Sequence, residues 1–538
     1  MRFDPTARKR ARDRFAARSG PLLALAGILL VCLAWAIASP VFAYPDEGAH
    51  VTRAAAVVDG QVVAPDKPLS KEGWPIIRAP NSLAQSIYRS RCLWSGYGHP
   101  NIPASCSKPL PPYRRMTQVR NAAGRYEPAY YAVVGWPLRW APTANGVYAA
   151  RAVNAVVCAL LLGVALLAMG SRGRRWWQLA VLTALTPYVL YTGGGINPSA
   201  WEICAAVATW AGVLRLCADD LVRKGLVAAT AVAAAVLGIS RPLGPLWLVL
   251  IAAVAGAATP WAKVRALVST RAIQVALAVT GVSCVASLMW TVTQTNASFD
   301  TQPLRHPLPF GDAFGQSFDR LPHRLEEMVA VFGWLDVPVP WITVAVWIAL
   351  TALLVGAALW RGAGRARWTL LGLAVLTVLV PALVEAHMAT RIGMVWQGRY
   401  TLPLAVGVPL LAGQILQARS TAISPPRWML PVAASLAGIA QVTAFIWALR
   451  RYEHGVPGSL NPFTGAWLPP GGPVLVIALF MVGIAALCAG LAMTSPGWPA
   501  SDGPESGPIK DEPSVEPLWA GAGSNRRPSA FQADARTD

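Results

Sequence analysis

A chain of 538 residues in which 54% are hydrophobic and only 13% are charged is not a water-soluble domain; it is expected to be an integral membrane protein. The net charge of +20 invites a nucleic-acid partner, but the basic residues gather in short clusters at the ends of apolar runs, where positive-inside topology places them. Nucleic acid is therefore discounted, and the lipid bilayer is the expected partner.

Apolar stretches recur along the whole chain, and at roughly 20 residues per crossing they make about twelve helices. Runs such as "LLALAGILLVCLAWAI" are apolar on every face, which excludes the alternating pattern of a transmembrane barrel. The fold class expected is an all-α integral membrane protein with about twelve transmembrane helices. Residues 1–19, with "RKRARDRFAAR", form a basic cytoplasmic N-terminus, and residues 20–494 form the membrane domain. The apolar run from Pro21 to Ala43 exceeds the roughly 7–15 residues of a signal-peptide core, so an uncleaved first crossing is expected despite the small residues of "SPVFA". The clusters "SRGRRWW", "LVRK", "WAKVR", "RGAGRARW" and "PPRW" fall on the N-terminal side if successive runs alternate direction. Both termini are then cytoplasmic.

Directly after the first run comes "YPDEGAHVTRAAAVVDG". Asp46 can cap a new helix after Pro45, and Asp46, His50, Arg53 and Val57 then share one face at three- and four-residue spacing. A plain capping role for Asp46, with Glu47 as a first-turn acid, is the simpler reading, but it does not require His50 and Arg53 as well. The segment 44–127 is a large first extracytoplasmic loop. Of eight cysteines, six lie in apolar runs, leaving Cys92 and Cys106 in this loop. An oxidising compartment and a short Gly- and Pro-rich connection favour a disulfide between them; a zinc site is weaker without CxxC spacing.

Farther along, "YTGGGINPS" reads as a turn, not a nucleotide cradle. "GISRPLGPLW" sets Arg241 in a Pro-broken apolar segment, a pattern tolerated where the backbone faces protein or a cavity, and one that also marks transport pathways. A second large extracytoplasmic loop spans 294–340. All six histidines fall in outer segments, which also follows from where polar sequence is found. Arg391, Arg399 and Tyr400 lie near the outer end of a late helix, where interfacial anchoring is the alternative. Glu202 and Glu385 lie near outer helix ends, free to cap, pair with arginines or line a cleft. The tail 495–538, rich in Pro, Gly and Ser, is expected to be disordered and cytoplasmic.

An Asp-Glu pair just after the first membrane helix resembles the GT-C superfamily of polyprenyl-phosphate-dependent glycosyltransferases. Within it, "PDEGAHVTRA", "YEPAYYAVVGWP", "INPSAW" and "WQGRYTLP", in that order, resemble the motifs of bacterial membrane proteins grouped as domain-of-unknown-function family 2142. The family often carries an acid after the proline of "INPS"; Ser199 stands there in this chain, which weakens a catalytic role for that turn.

The resemblance implies a GT-C-like fold and an inverting transfer, on the outer face of the cell membrane, of a sugar from a polyprenyl-phosphate donor to an envelope glycan or protein acceptor. Asp46 is the candidate general base, with Glu47 beside it. Arg399 is the candidate for the departing phosphate because a guanidinium offers paired donors and stays protonated. Arg391 is a second candidate and Arg53 a third, unless Arg53 holds Asp46 ionised through a salt bridge. His50, Arg241 and Tyr400 complete the expected substrate-binding set. Asp46 and Glu47 can ligate a divalent cation, yet without a further acidic motif they make a thin site, and no cofactor is expected. Two rival classes remain: a transporter or flippase of a lipid-linked glycan, and a non-catalytic envelope assembly protein.

Overall fold

A computed structural model of the chain describes residues 5–65, 70, 74–94, 100–169, 174–295, 308–362, 364–420 and 425–493. The tail 495–538, His99 and His306 lie outside them. The protein is a mostly helical, multi-pass membrane protein. Among the described residues nine helical stretches are long and apolar enough to cross a bilayer, from Ser19–Ala38 within α1 (Pro5–Ala38) to Gly472–Met493.

One expectation is not shown and another is corrected. Among the described residues the count of about twelve is not shown: nine stretches reach crossing length, and two further apolar stretches are broken. α5 (Arg175–Ala184) and α6 (Pro187–Thr192) part where Pro187 starts a new helix and the Thr186 hydroxyl caps it, accepting from the Val189 N–H at 3.3 Å. α8 (Lys224–Ser240) and α9 (Gly244–Ala258) are 17 and 15 residues long and part at Arg241 and Pro242. Nor is the chain all-α. The first large loop carries an antiparallel pair, β1 (Ile76–Pro80) and β2 (Met116–Arg120), with Ile76 opposite Arg120. The loop has enough backbone outside any helix to need a ladder of its own.

The expected disulfide is present: Cys92 and Cys106 are joined, and they pack beside Ala43, Leu93, Ala104 and Tyr452. The loop docks on the end of α17 (Met429–Glu453), where Arg451 donates to the Ile102 carbonyl at 2.8 Å and Val456 N–H to that of Pro100 at 2.9 Å.

Between α1 and α2 (Glu47–Val58) the chain turns a corner held from outside. Arg151, in the second turn of α4 (Ala144–Met169), donates to the carbonyls of Ala36, Ser39 and Pro40 at 2.8, 2.6 and 2.7 Å. Those oxygens belong to the end of α1 and the turn after it, where helical partners run out. The same guanidinium grips both oxygens of Glu47, at 2.8 and 2.6 Å, and both side chains are fully buried. The triple glycine of "YTGGGINPS" packs here too: a side chain at Gly195 would run into the ring of Tyr44.

Candidate functional site

At this corner a cavity of about 140 Å3 lies among Asp46, Ala49, His50, Ala122, Ala123, Tyr126, Asn197, Arg241, Arg399 and Tyr400. Five separate stretches meet in it: the start of α2, the end of the first loop, the "INPS" turn with Asn197, the α8–α9 break, and α15 (Gly398–Ala405).

Asp46 sits at the head of α2 but does not cap it, contrary to the capping expectation. Its backbone is left-handed, with φ 60°, and its side chain makes no capping hydrogen bond. The carboxylate turns into the cavity, where its Oδ2 accepts from Arg399 Nη2 at 2.7 Å. The Asp46 side chain keeps 45% of its surface accessible, against 3% for Arg399. Burial pushes the Asp46 carboxyl up. The charges of Arg399 and Arg241, with the Arg399 hydrogen bond, outweigh that and hold it below the ordinary carboxylate range.

Arg399 reaches this position because Gly398 precedes it. The Gly398 N–H donates to Glu327 of α12 (Leu321–Ala330), and a side chain at Gly398 would come within 2.6 Å of the Arg324 carbonyl oxygen. Arg399 Nη2 also donates to the Tyr400 hydroxyl at 2.9 Å, while Nε is buried without a hydrogen-bond partner. Arg241 lies across the cavity, 4.8 Å from the ring centre of Tyr400 and 5.8 Å from that of Tyr126. Its Nη1 donates to the Ser199 hydroxyl, and its Nε stands 3.9 Å from Glu202, which also accepts from Trp247 at 2.9 Å. His50 is buried, its Nδ1 2.8 Å from the Tyr131 hydroxyl. Burial, with Arg241 and Arg399 adding to it against Asp46, takes the imidazole pKa down to about 3, so it is neutral at physiological pH.

The other sequence candidates are placed elsewhere. Glu47 faces Arg151 with both oxygens, and its Oε1 also accepts from the Ile196 N–H at 3.1 Å; it does not line the cavity. Arg53 holds no salt bridge to Asp46. It donates to the carbonyls of Gln61, Val62 and Tyr126 at 3.1, 2.7 and 3.0 Å, closing the chain that leaves α2, and burial lowers its pKa to about 10. Arg391 is exposed in the last turn of α14 (Gly364–Ile392) and does not line the cavity. Glu385 is fully paired by Arg324, Ser317 Oγ and the Trp396 N–H, so it secures the turn before α15.

Arg151, Glu327 and Tyr126 escaped the sequence reading. A lone arginine inside an apolar run is a detectable signal for the first. Nothing local separates Glu327 from its neighbours in "HRLEEM". Asp46 is the one carboxylate lining the cavity, and among the described residues no group of three or more His, Cys, Asp or Glu is placed to hold a metal ion.

Comparison with curated proteins finds no match. Among solved structures, the crystal structure of ArnT from Cupriavidus metallidurans bound to undecaprenyl phosphate is similar at 14% identity. The match covers 88% of this chain and 76% of that one, with a TM-score of 0.42. The model of the family DUF2142, "Predicted membrane protein", matches residues 29–408, which take in every wall of the cavity but no residue beyond α16 (Gly407–Gln417). The chain belongs to that family of membrane proteins.

Proposed function

We propose that the protein is a membrane glycosyltransferase that moves a sugar from a polyprenyl-phosphate donor to a cell-envelope acceptor on the outer face of the membrane, with inversion at the anomeric carbon. The observation that carries this reading is the Asp46–Arg399 pair in a polar cavity shared with Arg241 and the two tyrosines. A carboxylate that is ionised at neutral pH and two guanidiniums are the complement of the reaction. As the acceptor oxygen attacks the anomeric carbon, its proton passes to Asp46. The bond from that carbon to the phosphate oxygen breaks, and the phosphate gathers negative charge against Arg399 and Arg241.

Arg399 supports both halves of this step. Free of substrate, it holds Asp46 ionised. A donor phosphate competes for the same guanidinium and draws it from the carboxylate, which raises the basicity of Asp46 when the acceptor hydroxyl must be activated. Glu47 is a positioning residue in this scheme: through Arg151 it fixes the corner that aims Asp46.

The test is Asp46→Asn in a reconstituted transfer assay with a lipid-linked donor. Asparagine also tolerates the left-handed backbone of this position, and its carbonyl still accepts from Arg399. Transfer is expected to fall about a hundredfold or more, as loss of a general base does, while a polyprenyl-phosphate analogue binds at least as tightly as to wild type. Undiminished transfer, or full complementation of a deletion strain, would remove the base and leave transport or scaffolding as the better accounts.

A further inference from the structure

A second cavity, of about 310 Å3, is walled by α2, α3 (Pro128–Val134), α8 and α10 (Arg271–Thr295). Val57, Ala129, Ile239, Ala286 and Trp290 make it apolar, and Glu127 is its one ionisable residue. Glu127 stands at the head of α3 without capping it. The residue is only 2% exposed. Its Oε1 accepts from Ser287 at 3.3 Å, and its Oε2 is buried without a hydrogen-bond partner. A carboxyl group left half-satisfied in an apolar wall is costly unless something supplies the missing partner. Ala132 and Ala286 in its wall are exposed, and only 6% of the crossing window of α10 is buried inside the protein.

We propose that this cavity binds a neutral long-chain alcohol from the bilayer, its hydroxyl against Glu127 and its chain along α10. The soft terminal torsion of a glutamate lets Oε2 turn to the cavity. A hydroxyl is the fitting head group because Arg53 and Arg241 act on Glu127 as cations and Glu202 as an acid, with Tyr131 a neutral neighbour. That surrounding offers a cationic head group no surplus of negative charge. Burial also raises the Glu127 pKa to about 7, so near neutrality the group donates to or accepts from a hydroxyl without bringing in a full charge. The site stands independently of the transferase reading, although Tyr126, next in the chain, lines the Asp46 cavity.

The test is photolabelling of the full chain in phosphatidylcholine nanodiscs with a diazirine-bearing hexadecanol, the sites being mapped by peptide mass spectrometry. Labelling is expected on 127–132 and 286–290, competed by hexadecanol and not by hexadecane. It should fall about fivefold in Glu127→Leu, the factor that one net hydrogen bond carries, and persist in Glu127→Gln, which still accepts. Ala286→Trp fills the cavity from α10 and keeps the Glu127 side chain, and should abolish labelling even if Glu127→Leu does not fold. Equal competition by hexadecane, or full labelling of Ala286→Trp, would overturn the site. Stronger competition by hexadecylamine than by hexadecanol would overturn the hydroxyl assignment.

Discussion

Asp46 and Glu47 are neighbours in sequence with opposite surroundings, one open to a cavity and shared with Arg399, the other sealed against Arg151. Sequence spacing put Asp46 and His50 on one helix face, the Pro-broken segment singled out Arg241, and the family resemblance named Arg399 and Tyr400; all five line the cavity. Spacing does not show which distant arginine arrives, and so it could not separate Glu47 from Asp46 or see Arg53 spent on backbone carbonyls. Arg399→Lys keeps the charge and loses the paired donors; binding of a polyprenyl-phosphate analogue is expected to weaken by about 1–3 kcal/mol, measured by direct titration. Glu127 gives a pH signature. Its folded pKa is raised from 4.5 to about 7, so its contribution to stability is complete below about pH 4.5 and is lost as pH rises through about 7. Thermal unfolding of wild type should therefore lose ground to Glu127→Gln between about pH 5 and pH 8, and parallel curves would contradict the raised pKa. His50 runs the other way: with a folded pKa of about 3, its contribution is lost as pH falls below about 6.5.

At the scale of elements, the α1–α2 corner depends on a residue from α4. Glu47→Gln leaves Arg151 buried with half its ion pair gone, and is expected to cost about 3–5 kcal/mol, seen as a large fall in thermal stability. It is therefore no mild control for Asp46→Asn. Arg151→Met should cost at least as much, because it also orphans three carbonyls. The disulfide acts on the loop instead. Cys92 and Cys106 are 14 residues apart, so Cys92→Ser with Cys106→Ser should cost about 3 kcal/mol, with faster proteolysis of the first loop as the readout. The disulfide was legible because composition and compartment decide it. The strand pair was not: "IIRAP" and "MTQVR" are short, and they earn their ladder only by meeting across the loop.

Across the whole molecule, hydropathy correctly announced a helical multi-pass protein. Its count of about twelve crossings is not shown, because hydropathy cannot tell a full span from short helices broken at Thr186–Pro187 or Arg241–Pro242, and the second break is where Arg241 enters the cavity. Sidedness is open to a direct check. Tyr113, 61% exposed in the first loop, changed to cysteine should react with an impermeant maleimide in intact cells, and silence there alongside reaction at Arg419→Cys would invert the topology. The two ion pairs at the corner also set a schedule for biosynthesis. The partners of Glu47–Arg151 are 104 residues apart, and those of Asp46–Arg399 are 353 apart. At about 5–20 residues per second, the ribosome works for tens of seconds after the first pair can close before the second can. During that interval Asp46 has no guanidinium from α15 beside it. A nascent chain stalled before Arg399 carries Asp46 without the ion pair of the finished protein.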